Sequence, residues 1–189
     1  MVFPFALIVF GIAGWIASFG LTIERLNVAS NPDYATPCDI SPFISCKSVM
    51  LSEQAALLGF PNPLIGIAAF FAPILIGFAI LAGAKFAPWF WNLFLLGHVF
   101  AMGFVFWLFS QSVFVIGSLC LYCIVAWVAT IPLFWSILGH NLREGYLGIK
   151  LMPSGEFVYE WAWVLTIINY LALAGVIVVH FWDFWPTLF

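Results

Sequence analysis

The chain has 189 residues, of which 65% are hydrophobic, 20% aromatic and only 7% charged. A soluble domain of this length carries about 47 charged residues, whereas this one has five Lys or Arg and eight Asp or Glu, with a mean hydropathy of +1.15. So few charges exclude a water-soluble globule of 21.1 kDa, and a net charge of −3 without a basic cluster excludes nucleic-acid binding.

The composition predicts an all-α integral membrane protein, with residues 1–189 as a single membrane domain. Five stretches reach the roughly 20 apolar residues that a spanning helix needs. They run over about 4–23, 64–82, 89–109, 119–138 and 161–182. No Lys or Arg precedes Arg25, and the first apolar run is longer than a signal-peptide core, so a retained first helix is expected. Asn62-Pro63 reads as an N-cap followed by proline at the first helical position, and Pro88 opens the third span in the same way. Gly83 and Gly139 read as the ends of the second and fourth spans. Pro73 and Pro132 fall inside helices, where kinks are expected. Asn92, Gln111 and Asn169 read as ties between helices. His98, in the middle of the third span, reads as a neutral histidine bonded to a neighbouring helix, with a proton relay as the sharper alternative.

An odd number of spans puts the termini on opposite sides. Lys85, Arg143, Lys150 and the N-terminal amine then face Arg25 and Lys47 across the membrane, a thin positive-inside majority that makes the N-terminus cytoplasmic. All four cysteines fall at the other face. Cys38 and Cys46 lie in the redox loop 24–62, while Cys120 and Cys123 lie after the second outward loop, 110–118, at the start of the fourth span. A cysteine set confined to one side points to the oxidising side of a membrane.

Cys120-Leu-Tyr-Cys123 is a C-x-x-C opening a helix. That spacing puts both sulfurs on one face, and the helix N-terminus favours a thiolate, the attacking species in disulfide exchange. Cys38 and Cys46 form a C-x7-C pair in a proline-containing loop, able to close a disulfide and to reach another partner. Two rival readings are a tetrahedral zinc site, for which the spacing is poor, and two structural staples of a non-catalytic subunit. Electrons leaving such a dithiol need an acceptor. With no nucleotide, haem or iron–sulfur motif present, a lipid-soluble quinone entering between helices fits best. Phe43, Met50, Phe60, Phe114, Tyr122 and Trp127 are candidates to line its pocket.

The run Cys38-Asp-Ile-Ser-Pro-Phe-Ile-Ser-Cys46-Lys-Ser-Val, then Ser52, then Gly59-Phe-Pro-Asn62-Pro-Leu-Ile-Gly66, then Cys120-x-x-Cys123 resembles the vitamin K epoxide reductase family in its bacterial form. The resemblance spans roughly 11–138. It implies a four-helix bundle around a quinone (menaquinone, ubiquinone or vitamin K type), here with a fifth transmembrane helix. It also implies that Cys123 is the quinone-proximal thiol, that Cys120 exchanges with Cys46, and that Cys38 meets an external partner. Asn62 matches an asparagine that hydrogen-bonds a quinone carbonyl, and Ser52 matches a serine that steadies the loop. The family often has a tyrosine four residues after the C-x-x-C, where this chain has Trp127. The implied activity is oxidation of an extracytoplasmic thioredoxin-fold protein at a bacterial cytoplasmic membrane, with vitamin K quinone or epoxide reduction as the alternative. Because the chain ends at Phe189 without a fused thioredoxin-like domain, that partner is expected to be a separate protein. The other bacterial quinone-linked disulfide oxidases carry their C-x-x-C in the first outer loop, the reverse of the order here. Leu51, Ala55 and Leu58 predict a short helix over 48–58 above the site, ended by Gly59. Asp39 is read as a loop cap or a modulator of Cys38.

Overall fold

In the computed structural model, residues 2–41 and 43–182 are described. Among them the fold is helical, with two isolated bridges, Ser41 to Ile44 and Ile44 to Leu119, as the only extended pairings. Seven α-helices follow in chain order: α1 (Val2–Ser30), α2 (Cys46–Met50), α3 (Asn62–Leu81), α4 (Pro88–Ser110), α5 (Leu121–Arg143), α6 (Met152–Glu160) and α7 (Ala162–His180). Five of these are long and apolar enough to cross a membrane: α1, α3, α4 with its extension, α5 and α7. The chain is therefore a multi-pass membrane bundle.

Several helix ends differ from expectation. The first helix continues to Ser30, past Glu24 and Arg25; its 29 residues span about 44 Å against a hydrocarbon core of about 30 Å. Beyond Ser110, α4 continues as a π-helical turn over Gln111–Ile116, so most of the expected loop 110–118 is helical. Gly117, at φ 69°, ends it in the left-handed region that glycine adopts at little cost. Gly83 follows the end of α3 at φ 90°, as expected of a helix stop. Gly139 does not end α5, which runs on to Arg143. A Cβ on Gly139 would stand 2.8 Å from Tyr159 Cα, so this glycine lets α6 lie against α5. Gly155 makes the reciprocal approach to Leu142 and Arg143. The backbone bonds Trp161 N–H to Phe157 O and Leu165 N–H to Trp161 O carry the ladder from α6 into α7, so the fifth span has a helical lead-in.

Small residues also set the α1–α3 crossing. A Cβ on Gly77 would meet Ile8 Cγ1 at 2.6 Å and the Pro4 carbonyl at 2.9 Å, while the Phe70 ring occupies the space beside Gly14. Lipid supplies no hydrophobic drive between helices, so close backbone approach and dispersion hold the pair together. At the end remote from the cysteines, Phe3, Trp91 and His140 stack with centroids 4.4–5.8 Å apart. There Asn92 donates to the Tyr146 carbonyl and ties α4 to the loop after α5. Asn169 instead donates to Leu165 of its own helix. Only Thr166 of α7 is buried. That helix lies outside the other four, held to α5 in part by Tyr170 Oη donating to the Val128 carbonyl (2.6 Å).

Candidate functional site

The cysteine end is assembled by a short strap over the bundle. Ser45 caps α2 by accepting from the Ser48 N–H (3.1 Å). Asp39 accepts from Ser45 Oγ (2.8 Å), Lys47 N–H (3.2 Å) and Thr36 N–H (3.3 Å), pinning both ends of the cysteine loop. Burial raises the Asp39 pKa, but the bonds from Thr36, Ser45 and Lys47 outweigh it and leave the carboxyl below its ordinary value. Asp39 is thus the loop's cap. Lys47 Nζ donates to the Pro32 (2.6 Å) and Tyr34 (3.2 Å) carbonyls, and Arg25 reaches from α1 to the Met50 carbonyl (2.8 Å).

The expected helix over 48–58 is two pieces, α2 and a 3₁₀ turn over Glu53–Ala56. Asn62 explains the second piece. Its Oδ1 accepts from the Leu57 N–H (3.1 Å) and its Nδ2 donates to the Gln54 carbonyl (2.7 Å). Asn62 is not the N-cap of α3, which is Pro61; it caps the strap above. One amide hydrogen remains, and Asn62 lines the cavity below. Ser52 Oγ donates to the Val49 carbonyl (2.7 Å), fixing the break between the two pieces.

Backbone pairing brings the two cysteine pairs together. The Ser45 N–H donates to the Leu119 carbonyl (3.0 Å), and the Leu119 N–H to the Phe43 carbonyl (2.8 Å). Each bond lies one residue from a cysteine. Cys38 and Cys46 form a disulfide, whereas Cys120 and Cys123 are free thiols. Cys120 Sγ lies 3.2 Å from Cys46 Sγ, and the sulfurs of Cys38, Cys46 and Cys120 all fall within 4.8 Å of one another. Cys120 is the N-cap residue of α5. The Cys123 thiol is the largest influence holding Cys120 below the ordinary thiol pKa; burial opposes it, the amides of Cys123 and Tyr122 assist, and the charge of Asp39 opposes. A lowered thiol pKa means that the thiolate fraction rises, and levels off, at lower pH than in a free cysteine. Ultraviolet thiolate absorbance should therefore titrate early in the wild type, and the midpoint should move up in Cys123→Ala. An unchanged midpoint would remove Cys123 as the stabilising group.

Beneath the strap lies a largely apolar cavity of about 470 Å³, walled by α1, α3, α4 and α5. Cys123, Asn62, Ser52, Met50 and Tyr122 line its cysteine end, and Trp127 lines its flank. Trp127 is buried edge-on against Phe109, with centroids 5.3 Å apart. Phe60 is not part of the wall: it sits in the turn before α3 and is 42% exposed. Phe43 packs instead toward Phe181, and Phe114 lies against His180. Sequence reasoning missed Arg25 and Phe70 as wall residues. A lone arginine ending a long apolar stretch was the available signal for the first. His98 reaches the deep end of the cavity, and its Nδ1 pairs with Phe94 O of its own helix (2.9 Å) rather than with a neighbour.

A disulfide, a free dithiol touching it and an apolar chamber beside that dithiol define a helical membrane protein with a redox-capable cysteine centre. The model of the vitamin K epoxide reductase family matches residues 5–138, the four helices that wall the cavity and the strap above them. The chain belongs to that family, whose members are membrane oxidoreductases that act with quinones. No individual curated protein matches it. The residues present suit a quinone: the cavity is within the size range of small-molecule sites, one Asn62 amide hydrogen is uncommitted, and a free thiol borders the chamber.

Proposed function

We propose that this protein oxidises an extracytoplasmic thioredoxin-fold protein and passes the two electrons, through two cysteine pairs, to a membrane quinone. The observation that carries this reading is the 3.2 Å approach of Cys120 to Cys46, with Cys123 on the cavity wall. Cys38 receives the partner's thiolate through a mixed disulfide. A second partner thiol resolves that bond and leaves Cys38 and Cys46 reduced. Cys46 then attacks Cys120 of the oxidised C-x-x-C, releasing Cys123, and Cys38 attacks Cys46 to free Cys120. The quinone supplies a two-electron, two-proton acceptor when bound. Asn62 orients it through its remaining N–H, Cys123 faces it, and the apolar wall excludes water. In this reading Met50, Ser52 and Trp127 shape the chamber, and Phe60 takes no part.

The chain acts as one membrane unit over 1–189, with its N-terminus cytoplasmic in a bacterial inner membrane. Lys85, Arg143 and Lys150 lie at the end remote from the cysteines, which supports that orientation. The test is anaerobic mixing of the oxidised protein with a reduced thioredoxin-like protein and a quinone. Quinone absorbance should fall in proportion to partner dithiol consumed. Absorbance that stays constant while both disulfides remain closed would sink the proposal, and vitamin K epoxide offered to the dithiol form of the same protein tests the alternative substrate.

A further inference from the structure

Glu24 sits where a carboxylate is costly. It is 8% exposed, and its Oε2 is buried without a hydrogen-bond partner. It lies on the face of α1 that also carries Leu21 and Val28, both packed into the cysteine cluster with Cys46 and Cys120. One turn earlier, Gly20 leaves room for the Tyr122 ring: a Cβ there would stand 2.9 Å from Cε1 and 3.5 Å from Cζ, the hydroxyl-bearing carbon. Positions i and i+4 share a helix face, so the Tyr122 ring packs on the face of α1 that carries Glu24. Tyr122 also lines the cavity and is within electrostatic range of Glu24, Cys120 and Tyr34.

The cations nearby are committed elsewhere. Arg25 bonds the Met50 and Ala55 carbonyls, and Lys47 bonds the Pro32 and Tyr34 carbonyls. Asp39 is held by Thr36, Ser45 and Lys47. Tyr122, at the start of α5, therefore sits among acids and weak acids: Glu24, Cys120 and Tyr34. An ionisable residue in this setting points to proton traffic.

The relay proposed above, on which this inference rests, has a proton problem. When the loop pair reduces the C-x-x-C pair, two thiols become a disulfide and a disulfide becomes two thiols. Two electrons cross by bond exchange, and two protons must follow through a cluster closed to water. We propose that Glu24, with the Tyr122 hydroxyl, carries those protons: Glu24 accepts the proton that Cys46 loses on attack while Tyr122 protonates the Cys123 thiolate, Glu24 then reprotonates Tyr122, and the same circuit afterwards carries the Cys38 proton to the Cys120 thiolate. Nothing outside the chain is consumed.

The experiment uses full-length protein freed of quinone and fully oxidised, mixed with a reduced thioredoxin-like protein, while oxidation state at each pair is read by rapid acid quench. In Glu24→Gln, which keeps the shape but cannot hold the proton, transfer between the pairs should slow about 100-fold, the order of general acid–base effects. Its solvent isotope effect should rise and its pH profile should lose a limb. Glu24→Asp should retain part of the rate, and Tyr122→Phe should share the altered profile. In the wild type, reduction of the loop pair should give an infrared carboxyl signal that Glu24→Gln lacks. A purely structural Glu24 predicts that Gln is silent; wild-type rate and pH profile in Glu24→Gln would overturn the proposal. If the wild type itself shows no transfer between pairs, the relay fails and this inference with it. Normal wild-type transfer alongside an unaffected variant would sink the Glu24 role alone.

Discussion

Replacing Cys123 by alanine should abolish quinone reduction, by at least about 1,000-fold, because removal of a residue that reacts covalently eliminates a step rather than weakening it. Cys38→Ala should instead accumulate a bond the wild type shows only fleetingly. Cys120 lies 3.2 Å from Cys46, and without Cys38 to free Cys120, a Cys46–Cys120 bridge is the resting product once Cys46 attacks the oxidised C-x-x-C. Peptide mapping under non-reducing conditions would reveal that bridge. If purified Cys123→Ala reduced quinone at the wild-type rate, Cys123 could not be the thiol that faces the acceptor. A bridge that never forms would contradict exchange between the pairs and favour two inert staples.

Asn62→Ala should have the next largest effect, and it should act on two properties together. The side chain satisfies the Leu57 N–H and the Gln54 carbonyl, and each partner left unpaired in a partly buried strap costs about 1–3 kcal/mol. Thermal unfolding should therefore begin at lower temperature, and protease should cut within 51–60 sooner. In the proposed relay the variant also lacks the N–H that would orient a quinone carbonyl, so the quinone KM should rise by about tenfold or more, as expected for loss of one oriented hydrogen bond of roughly 1.4 kcal/mol. Adding saturating quinone should restore much of the rate but none of the protease resistance. Weakened resistance with an unchanged KM would restrict Asn62 to holding the strap.

The sequence made the spans and the four cysteines legible, because a bilayer demands long apolar runs and because thiols confined to one face are rare by accident. It hid the details that depend on partners distant in the chain. The stretch 110–118 looked like an outer loop, yet Gln111–Ile116 continues α4 as a π-helical turn. Gly139 looked like a helix stop, but its lack of a side chain serves the approach of Tyr159. The lead-in helix α6 contains Pro153, Ser154 and Gly155, a composition that gives little apolar signal. Asn62 carried the right local signature for a cap and caps a different element, since Leu57 and Gln54 reach it first. Aromatic residues near the cysteines could not be sorted into wall and exterior from spacing, and Phe60 fell outside while Trp127 fell within. The approach of Cys46 to Cys120 rests on the pairing of residues 43–45 with Leu119, a contact across more than seventy positions that no local pattern encodes.

The burial of the sulfurs also bears on leakage. Cys38 is 4% exposed, and Cys46 and Cys120 are fully covered. A conductor in a wet, thiol-containing environment loses current wherever bare metal touches the bath, and this centre is insulated. A small thiol diffusing past gains too little from contact to lift a loop latched by Asp39 and by Leu119. A folded protein that binds the strap can recover that cost across its whole footprint. In the proposed relay the latch would act as a fuse-like selector: it would tie access to docking, and the frequency with which docking opened the loop would set an upper bound on turnover.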